Sequence, residues 1–306
     1  MAWRDVTTHF VVVGRNDDGG VFVRACVMSS SPVVPGAAIG RRAIGELCAT
    51  LARHLRGSVA NASRVGRAPT SPLVGKADVV GEITRAVENV EVEDLGPALC
   101  AFAKKAQQER QERRERQRQE TAAWESSSHR VSGASEEKSA VRYLRVHSEM
   151  DYSVGAFVLD AGATIPLHNH PHMSVFMKCL FGDCRVTGYD FVSENPELSV
   201  SDASIGLARA QEVRLSVNEV LRAGGGATHV LHPNNGGNVH SLVAVTACAI
   251  FEVQTPPYAI GGGRDCHYFD VAERDGAGNV THVREILPPE NFHVTRFLDD
   301  VDAERA

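Results

Sequence analysis

Apolar and polar residues follow three different patterns along the chain, and each pattern predicts a different kind of element. Near the N terminus, two short apolar runs at residues 9–13 and 21–26 flank a turn-forming segment at residues 16–20. Two apolar runs around such a turn predict a β-hairpin. We therefore interpret residues 1–40 as an N-terminal extension that contains a hairpin, and we assign no chemistry to it.

From about residue 41 the apolar spacing becomes helical. Ile44, Leu47, Leu51 and Leu55 recur every three or four positions, which places their side chains on one face of a helix. A second set with the same spacing predicts a second helix. The members of this set are Val79, Ile83, Val87 and Val90. Residues 41–103 are therefore predicted to form a helical region that packs against the rest of the protein.

Residues 104–120 break the pattern, with seven basic and four acidic side chains and no large apolar residue. Mixed charges of this kind are typical of an exposed helix or of a partly disordered insert. A basic arm that contacts RNA or an acidic partner is the alternative, but the interspersed glutamates argue against it. Since residues 126–139 have the composition of a linker, we interpret residues 104–140 as a charged insert that is dispensable for chemistry.

After Ala140 many short apolar runs alternate with glycine- and proline-containing turns. This arrangement predicts an antiparallel sandwich or barrel. Residues 141–300 are therefore predicted to be the all-β domain that carries the chemistry, and the histidines of this domain are the first candidates for a site.

His168 and His170 stand two positions apart, the spacing that projects both imidazoles from one face of a strand. The glycine-framed stretch at residues 162–182 resembles the first sequence motif of the cupins, small β-barrels that hold a metal in their mouth. Many cupins place a glutamate ligand shortly after the second histidine, where this chain has Ser174 and Val175. The third ligand is therefore expected from another part of the chain.

His240 is predicted to be that third ligand. With Gly237 three positions earlier, it lies in a stretch that resembles the second cupin motif, which supplies a histidine from a later strand. Three imidazoles suit iron, copper, zinc and nickel alike, so the ligands alone do not select the metal. We expect the neighbouring His172, His229 and His232 to be polar neighbours of the site rather than ligands.

Composition excludes several classes of protein. The net charge of -6 gives no indication of nucleic-acid binding. Seven cysteines, an odd number, fit a reducing compartment better than a disulfide framework. No apolar run reaches the length of a membrane span, and the N-terminal residues lack the pattern of a secretory signal. We expect a soluble, cytoplasmic monomer, with the nucleus as an alternative location, and neither membrane nor nucleic-acid partners.

The chain also resembles the thiol dioxygenases that include cysteamine dioxygenase and the plant cysteine oxidases. The resemblance is specific at residues 141–190, 232–258 and 263–270, and weaker at residues 41–103. It implies a cupin double-stranded β-helix, or jelly-roll barrel, with an α-helical N-terminal region. The charged insert is then an elaboration of this family's fold.

The same resemblance implies an Fe(II) ion held by His168, His170 and His240, and addition of both oxygen atoms of O2 to a thiol to give a sulfinic acid. The implied substrate is a small aminothiol such as cysteamine, or the N-terminal cysteine of a peptide or protein. In the second case it implies a role in oxygen sensing, because cysteine oxidation marks proteins for degradation.

Four further residues are assigned to the site by this resemblance. Glu252 stands where the family has an aspartate important for activity, and a carboxylate there can orient a metal ligand or pair with the substrate's ammonium group. Tyr258 matches a tyrosine near the substrate pocket, with an ordinary core aromatic as the alternative. Cys266 and Tyr268 face the same way on a predicted strand. Some family members join this pair covalently, and a buried structural pair is the alternative.

Two other functions stay open on the sequence alone. One is a different three-histidine cupin dioxygenase, for instance one that cleaves a carbon–carbon bond of a β-diketone. The other is a cupin that has lost its chemistry and serves as a binding module. The complete set of three histidines argues against the binding module.

Overall fold

The computed structural model describes residues 9–15, 21–27, 41–60, 71–124, 140–193, 198, 208–225, 227–259 and 263–297. Its N-terminal elements are β1 (His9–Arg15), β2 (Val21–Val27), α1 (Arg41–Leu55), α2 (Ala77–Glu88), a 3-10 helix (Val92–Leu95) and α3 (Pro97–Trp124). The first strands of the β-rich part are β3 (Val141–Ser148), β4 (Ser153–Leu159), β5 (Thr164–Asn169), β6 (Ser174–Phe181), β7 (Asp183–Phe191) and β8 (Ala210–Arg222). They are followed by β9 (His229–Leu231), β10 (Val239–Ala244), β11 (Cys248–Thr255), β12 (Tyr268–Arg274), β13 (Val280–Ile286) and β14 (Val294–Arg296).

Strands β1 and β2 pair antiparallel, with His9 opposite Val27 and Arg15 opposite Val21. The predicted N-terminal hairpin is therefore confirmed. The turn at residues 16–20 and the linker-like segment at residues 126–139 lie outside the described residues.

The strands from β3 onward form two sheets. One closes into a barrel in the order β10-β5-β12-β13-β8-β7, and the other has the order β14-β3-β4-β11-β6-β9. Neighbouring strands are antiparallel except β14 and β3, which are parallel. This arrangement of antiparallel strands confirms the predicted cupin barrel with a helical N-terminal region.

The second sheet is buried on both faces, as strand β11 illustrates. Its eight residues are all buried. Cys248 and Ile250 face the interior between the sheets, whereas Ala249 and Phe251 belong to a second core formed with the helices. The helices thus cover the outer face of this sheet. Because its strands are buried on both faces, their sequences are continuous apolar runs.

The helical region packs on the sheet through the residues that predicted its helices. Leu47, Leu51 and Ile83 are fully buried in the shared core, and each such side chain contributes about 2 kcal/mol through loss of contact with water. Lys178 on β6 adds a polar link, since its Nζ donates to the carbonyl oxygens of Glu88 at 2.8 Å and Val90 at 2.6 Å. The position of the helices relative to the barrel is therefore fixed by both apolar and polar contacts.

Helix α3 crosses the boundary that the sequence predicted between residues 103 and 104. Leu99 and Ala103 are buried, and Arg110 Nη2 forms an ion pair with Asp183 Oδ2 at 2.8 Å. The helix continues because Gln, Glu and Arg have high helix propensity and extend a helix that has already nucleated. Residues 111–116 are exposed, as predicted for the charged segment. None of the described helices combines the length and the apolar character needed to cross a bilayer.

Candidate metal centre

The three predicted metal ligands come together at one end of the barrel. His240 on β10 is the antiparallel partner of His168 on β5, and His170 follows one residue after the end of β5. All three are buried, and each offers a nitrogen within 4.8 Å of the others. The Nε2 atoms of His170 and His240 lie 3.1 Å apart.

Hydrogen bonds at Nδ1 orient two of these three rings, those of His168 and His170. Nδ1 of His168 donates to the carbonyl oxygen of Pro166 at 2.8 Å, and Nδ1 of His170 donates to the hydroxyl of Tyr258 at 2.8 Å. A neutral imidazole has one protonated nitrogen, so these bonds leave a lone pair on each Nε2. Nε2 of His240 lies 3.1 Å from Nε2 of His170, and Nδ1 of His240 is buried without a partner among the described residues. The donor set therefore fits a divalent metal ion.

The imidazoles are neutral at physiological pH because burial disfavours their charged form. Burial lowers the pKa of His168 to about 4 and moves the pKa of His170 and of His240 well below the usual value. Within the described part of the chain, no carboxylate joins this cluster. A metal ion held here keeps its full charge, and the site favours an anionic additional ligand.

The backbone around His170 is held by a side chain that the sequence did not indicate. Asn238 Oδ1 accepts from the His170 amide at 3.0 Å, and its Nδ2 donates to the His170 carbonyl at 2.9 Å. Asp190 Oδ1 in turn accepts from the amides of Gly237 at 2.9 Å and Asn238 at 3.0 Å. This chain of contacts fixes His170 relative to the segment that leads into His240.

The chain matches the PCO_ADO family model over residues 99–299. It belongs to the PCO_ADO family. It is 39% identical over 171 residues to Plant cysteine oxidase 2 of Arabidopsis thaliana, and the aligned residues make up 52% of this chain and 59% of that protein. It is 34% identical over 145 residues to 2-aminoethanethiol dioxygenase of Mus musculus, covering 44% of this chain and 55% of that protein. The chain thus spans somewhat more than half the length of these two relatives.

Plant cysteine oxidase 1 of Arabidopsis thaliana is 40% identical over 129 residues, which is 42% of this chain and 41% of that protein. Among solved structures, an RmlC-like cupin protein from Desulfovibrio desulfuricans has 18% sequence identity and a TM-score of 0.27, and the match covers 43% of this chain and 97% of that chain.

In this member of the PCO_ADO family, the weaker histidine candidates lie outside the cluster. His229 Nε2 bonds the carbonyl of Gly236 at 2.9 Å, and His232 Nδ1 bonds the Ser174 hydroxyl at 2.8 Å. His172 is exposed and has a φ of 60°. Ser174, where many cupins have a glutamate, is thus a hydrogen-bond partner of His232.

Glu252 is a buried carboxylate in the interior between the two sheets. It lies on the same face of β11 as Cys248 and Ile250, and only 3% of it is exposed. Gln254 Nε2 donates to its Oε2 at 3.0 Å. Burial raises the pKa of Glu252 to about 7, and its charge contributes to the raised pKa of Tyr258. Glu252 therefore lies close to the residues that surround the metal cluster without belonging to it.

Tyr258 lies behind His170. Its hydroxyl donates to the carbonyl of Asn169 at 2.7 Å while it accepts from His170. The charge of the Cys266 thiol contributes to the raised pKa of Tyr258 and of Tyr268, and burial raises the pKa of this thiol to about 12. The position of the Tyr258 hydroxyl makes it an anchor for the His170 ring.

Tyr268 is the neighbour of His168 on the other side from His240. The two residues pair between β12 and β5, with ring centroids 6.2 Å apart. Next to it, the backbone of His267 exchanges hydrogen bonds with the amide and the side chain of Asn169. His267 Nδ1 also contacts Glu285 Oε1 at 2.7 Å. This pair, which the sequence did not indicate, holds the end of β5 in place.

Proposed function

We propose that the protein is a non-haem Fe(II) thiol dioxygenase that acts on cysteamine, on the N-terminal cysteine of a peptide or protein, or on both. The observation that carries this proposal is the convergence of three buried, neutral imidazoles that no carboxylate among the described residues joins. Membership of the PCO_ADO family supports it. The reaction is balanced as one thiol plus one O2 giving one sulfinic acid, with sulfur losing the four electrons that O2 gains.

His168, His170 and His240 would hold the iron. When bound, Fe(II) supplies a redox-active Lewis acid that lowers the pKa of a thiol ligand and gives O2 and sulfur a common template. The absence of a carboxylate ligand matters because a thiolate can then contribute the negative charge. The thiol itself supplies the electrons, so no organic cosubstrate is needed.

Glu252 would recognise the substrate's ammonium group, directly or through water. Cysteamine and an N-terminal cysteine share a free amine two carbons from sulfur. Glu252 lies in the interior between the two sheets, and its Oε2 is held by Gln254. An ionised carboxylate there would fix the amine, and with it the direction from which the sulfur approaches the three histidines.

Tyr258, Cys266 and Tyr268 would shape the wall of the site. Tyr258 orients the His170 ring through its Nδ1, which fixes the direction of the Nε2 lone pair. Cys266 acts electrostatically on both tyrosine hydroxyls, so we treat the three side chains as one group. We propose a structural and orienting role for this group.

Action on the N-terminal cysteine of proteins would make the protein an oxygen sensor, because oxidation of that cysteine depends on O2. We propose that it works as a monomer in the cytoplasm, with the nucleus as an alternative. Its proposed partners are O2 and the thiol substrate, without nucleic acid or membrane.

The test is anaerobic reconstitution with Fe(II), followed by O2 uptake with cysteamine, free cysteine and a peptide that begins with cysteine. We expect uptake with at least one thiol and a product heavier by two oxygen atoms. A peptide that begins with serine is the matched control and should give no uptake. Iron-loaded protein that consumes O2 with acetylacetone but with none of the thiols would instead identify a β-diketone dioxygenase.

A further inference from the structure

Ser71 lies between helices α1 and α2 in the sequence, and it contacts the turn that carries His170. It is buried, and its backbone amide donates to the carbonyl oxygen of His172 at 2.6 Å. Within the turn, the Met173 amide donates to the His170 carbonyl oxygen at 3.2 Å. A residue of the helical region is thus hydrogen-bonded to a turn that begins at one of the three clustered histidines.

The residue that Ser71 contacts has an unfavourable backbone conformation. His172 has a φ of 60°, and it is the one non-glycine residue with a positive φ in the described part of the chain. The left-handed conformation is unfavourable for a residue with a side chain, and it persists where surrounding contacts hold it. Because the Ser71 amide binds the His172 carbonyl oxygen, the helical region supplies one such contact two residues from His170.

The hydroxyl of Ser71 makes a second connection, which leads to the segment that precedes His240. Its Oγ lies 2.6 Å from the Oγ of Ser174, and the Ser174 Oγ lies 2.8 Å from Nδ1 of His232. Both serines are buried, and a hydrogen bond shielded from water in this way is stronger than an exposed one. Asn238 continues the connection, since its Nδ2 donates to the His232 carbonyl oxygen at 2.9 Å. This second route therefore ends two residues before His240.

Both connections start at the same residue and end close to two different histidines. The Nε2 atoms of His170 and His240 lie 3.1 Å apart. Nitrogens that bind one metal ion must converge on one point, so the relative position of the two segments determines how well they bind it. Ser71 is hydrogen-bonded to the first segment directly and to the second through Ser174.

We propose that Ser71 is a positioning residue of the metal centre, through which the helical region holds the segments of His170 and His240 in a fixed relative position. Ser71 acts through these segments and contacts neither the ion nor the substrate. This role rests on the proposed function, because it requires that the three histidines bind a metal, but it is the same for every thiol. The helical region would then be part of the site as well as the cover of the second sheet.

Ser71→Ala tests the connection through the hydroxyl, since it leaves the backbone amide in place. We expect Co(II) affinity, measured by competition with a chromophoric chelator, to fall about three- to ten-fold, the effect of losing one or two buried hydrogen bonds. Ser58→Ala is the matched control and should keep the parent's affinity. Ser58 also joins the helical region to the β-rich part, since its Oγ donates to Asp151 Oδ1 at 3.0 Å, but Asp151 lies outside the cluster of three histidines.

The visible spectrum of bound Co(II) separates positioning from stability. A loss of stability alone leaves the spectrum of the folded, metal-loaded protein unchanged, whereas a displaced imidazole alters it. We expect altered bands for Ser71→Ala and parent-like bands for Ser58→Ala. In thiol oxidation by the iron-loaded protein, kcat of Ser71→Ala should fall while KM for cysteamine stays within about two-fold. Parent-like affinity and spectrum in Ser71→Ala would overturn the proposal.

Hydrogen exchange in the parent gives a test that does not depend on the folding of a Ser71 variant. Binding of Zn(II) should slow exchange at the Ser71 amide more than at the Val59 amide, which donates to Asp151 Oδ1 at 2.8 Å. Mass spectrometry measures both, and equal protection of the two amides would overturn the proposal. The Co(II) and Zn(II) measurements involve no thiol, so a parent that binds metal but oxidises no thiol would overturn the proposed function alone. A parent that binds no metal would overturn both.

Discussion

Asn238 holds His170 at both polar groups of its backbone, with its Oδ1 3.0 Å from the amide nitrogen and its Nδ2 2.9 Å from the carbonyl oxygen. The same Nδ2 donates to the carbonyl of His232 at 2.9 Å. One amide side chain thus connects the turn that carries His170 to the segment that precedes His240. Metal affinity should therefore depend on a residue that does not touch the metal.

Asn238→Asp tests this dependence, since it keeps the shape and the acceptor but loses both Nδ2 donors. We expect metal affinity to fall by about ten-fold or more, as for other groups that orient metal ligands. A competition titration with a chromophoric chelator measures it. Asn218→Asp, the same change at an exposed position of β8, should leave affinity unchanged. Equal affinities for the two variants would show that His170 is held without Asn238.

Single replacement of His168, His170 or His240 by alanine should abolish both metal binding and O2 uptake. We expect about one metal ion per chain in the parent, because these residues form one convergent set. Metal analysis after gel filtration measures the stoichiometry. His229→Gln and His232→Gln are the controls and should retain the metal. A His240→Ala variant that keeps full metal content would remove His240 as the third ligand.

Glu252→Gln should lower turnover of cysteamine by about ten-fold while metal content stays unchanged. Because the pKa of Glu252 is raised to about 7, the parent's kcat/KM should rise as pH passes through 7 and this carboxylate ionises. The rise should be absent in Glu252→Gln, and Glu219→Gln on the exposed face of β8 should keep it. Equal rates with cysteamine and N-acetylcysteamine in the parent would contradict ammonium recognition.

The same carboxylate should make stability depend on pH. Its pKa is raised from 4.5 to about 7 in the folded protein, so the folded state binds more protons than the unfolded state between these values. Stability is therefore lost as pH rises through this window, by about 3 kcal/mol at most. Urea denaturation at pH 5 and pH 8 should show a smaller loss for Glu252→Gln than for the parent. An equal loss in both proteins would assign the pH dependence to other groups.

The cluster of three histidines could be predicted from the sequence because its signals are local. His168 and His170 lie two apart, and His240 lies in a glycine-rich segment of recognisable form. The roles of Asn238 and Asp190 could not be predicted, because bonds from a side chain to a distant backbone leave no periodic pattern.

Apolar spacing predicted two helices up to Val90, and the mixed charges of residues 104–120 left an exposed helix and a partly disordered insert open; the bounds of α3 were not predicted. Its apolar face ends near Ala106, whereas the helix continues to Trp124. Helix propensity and the Arg110–Asp183 ion pair extend the helix where the apolar pattern has stopped. The change in side-chain composition therefore marks where the apolar face of α3 stops packing on the core, and not where the helix ends.

The three clustered histidines come from segments far apart in sequence, and His170 and His240 are 70 positions apart. A metal ion bound to both residues would be a reversible cross-link between the end of β5 and strand β10. Because the unfolded chain has no such preformed site, binding free energy adds to the free energy of unfolding. At a free metal concentration a hundred times Kd, the gain is about 2.7 kcal/mol. The melting temperature should therefore rise with free metal concentration, which links the persistence of the folded protein to metal supply.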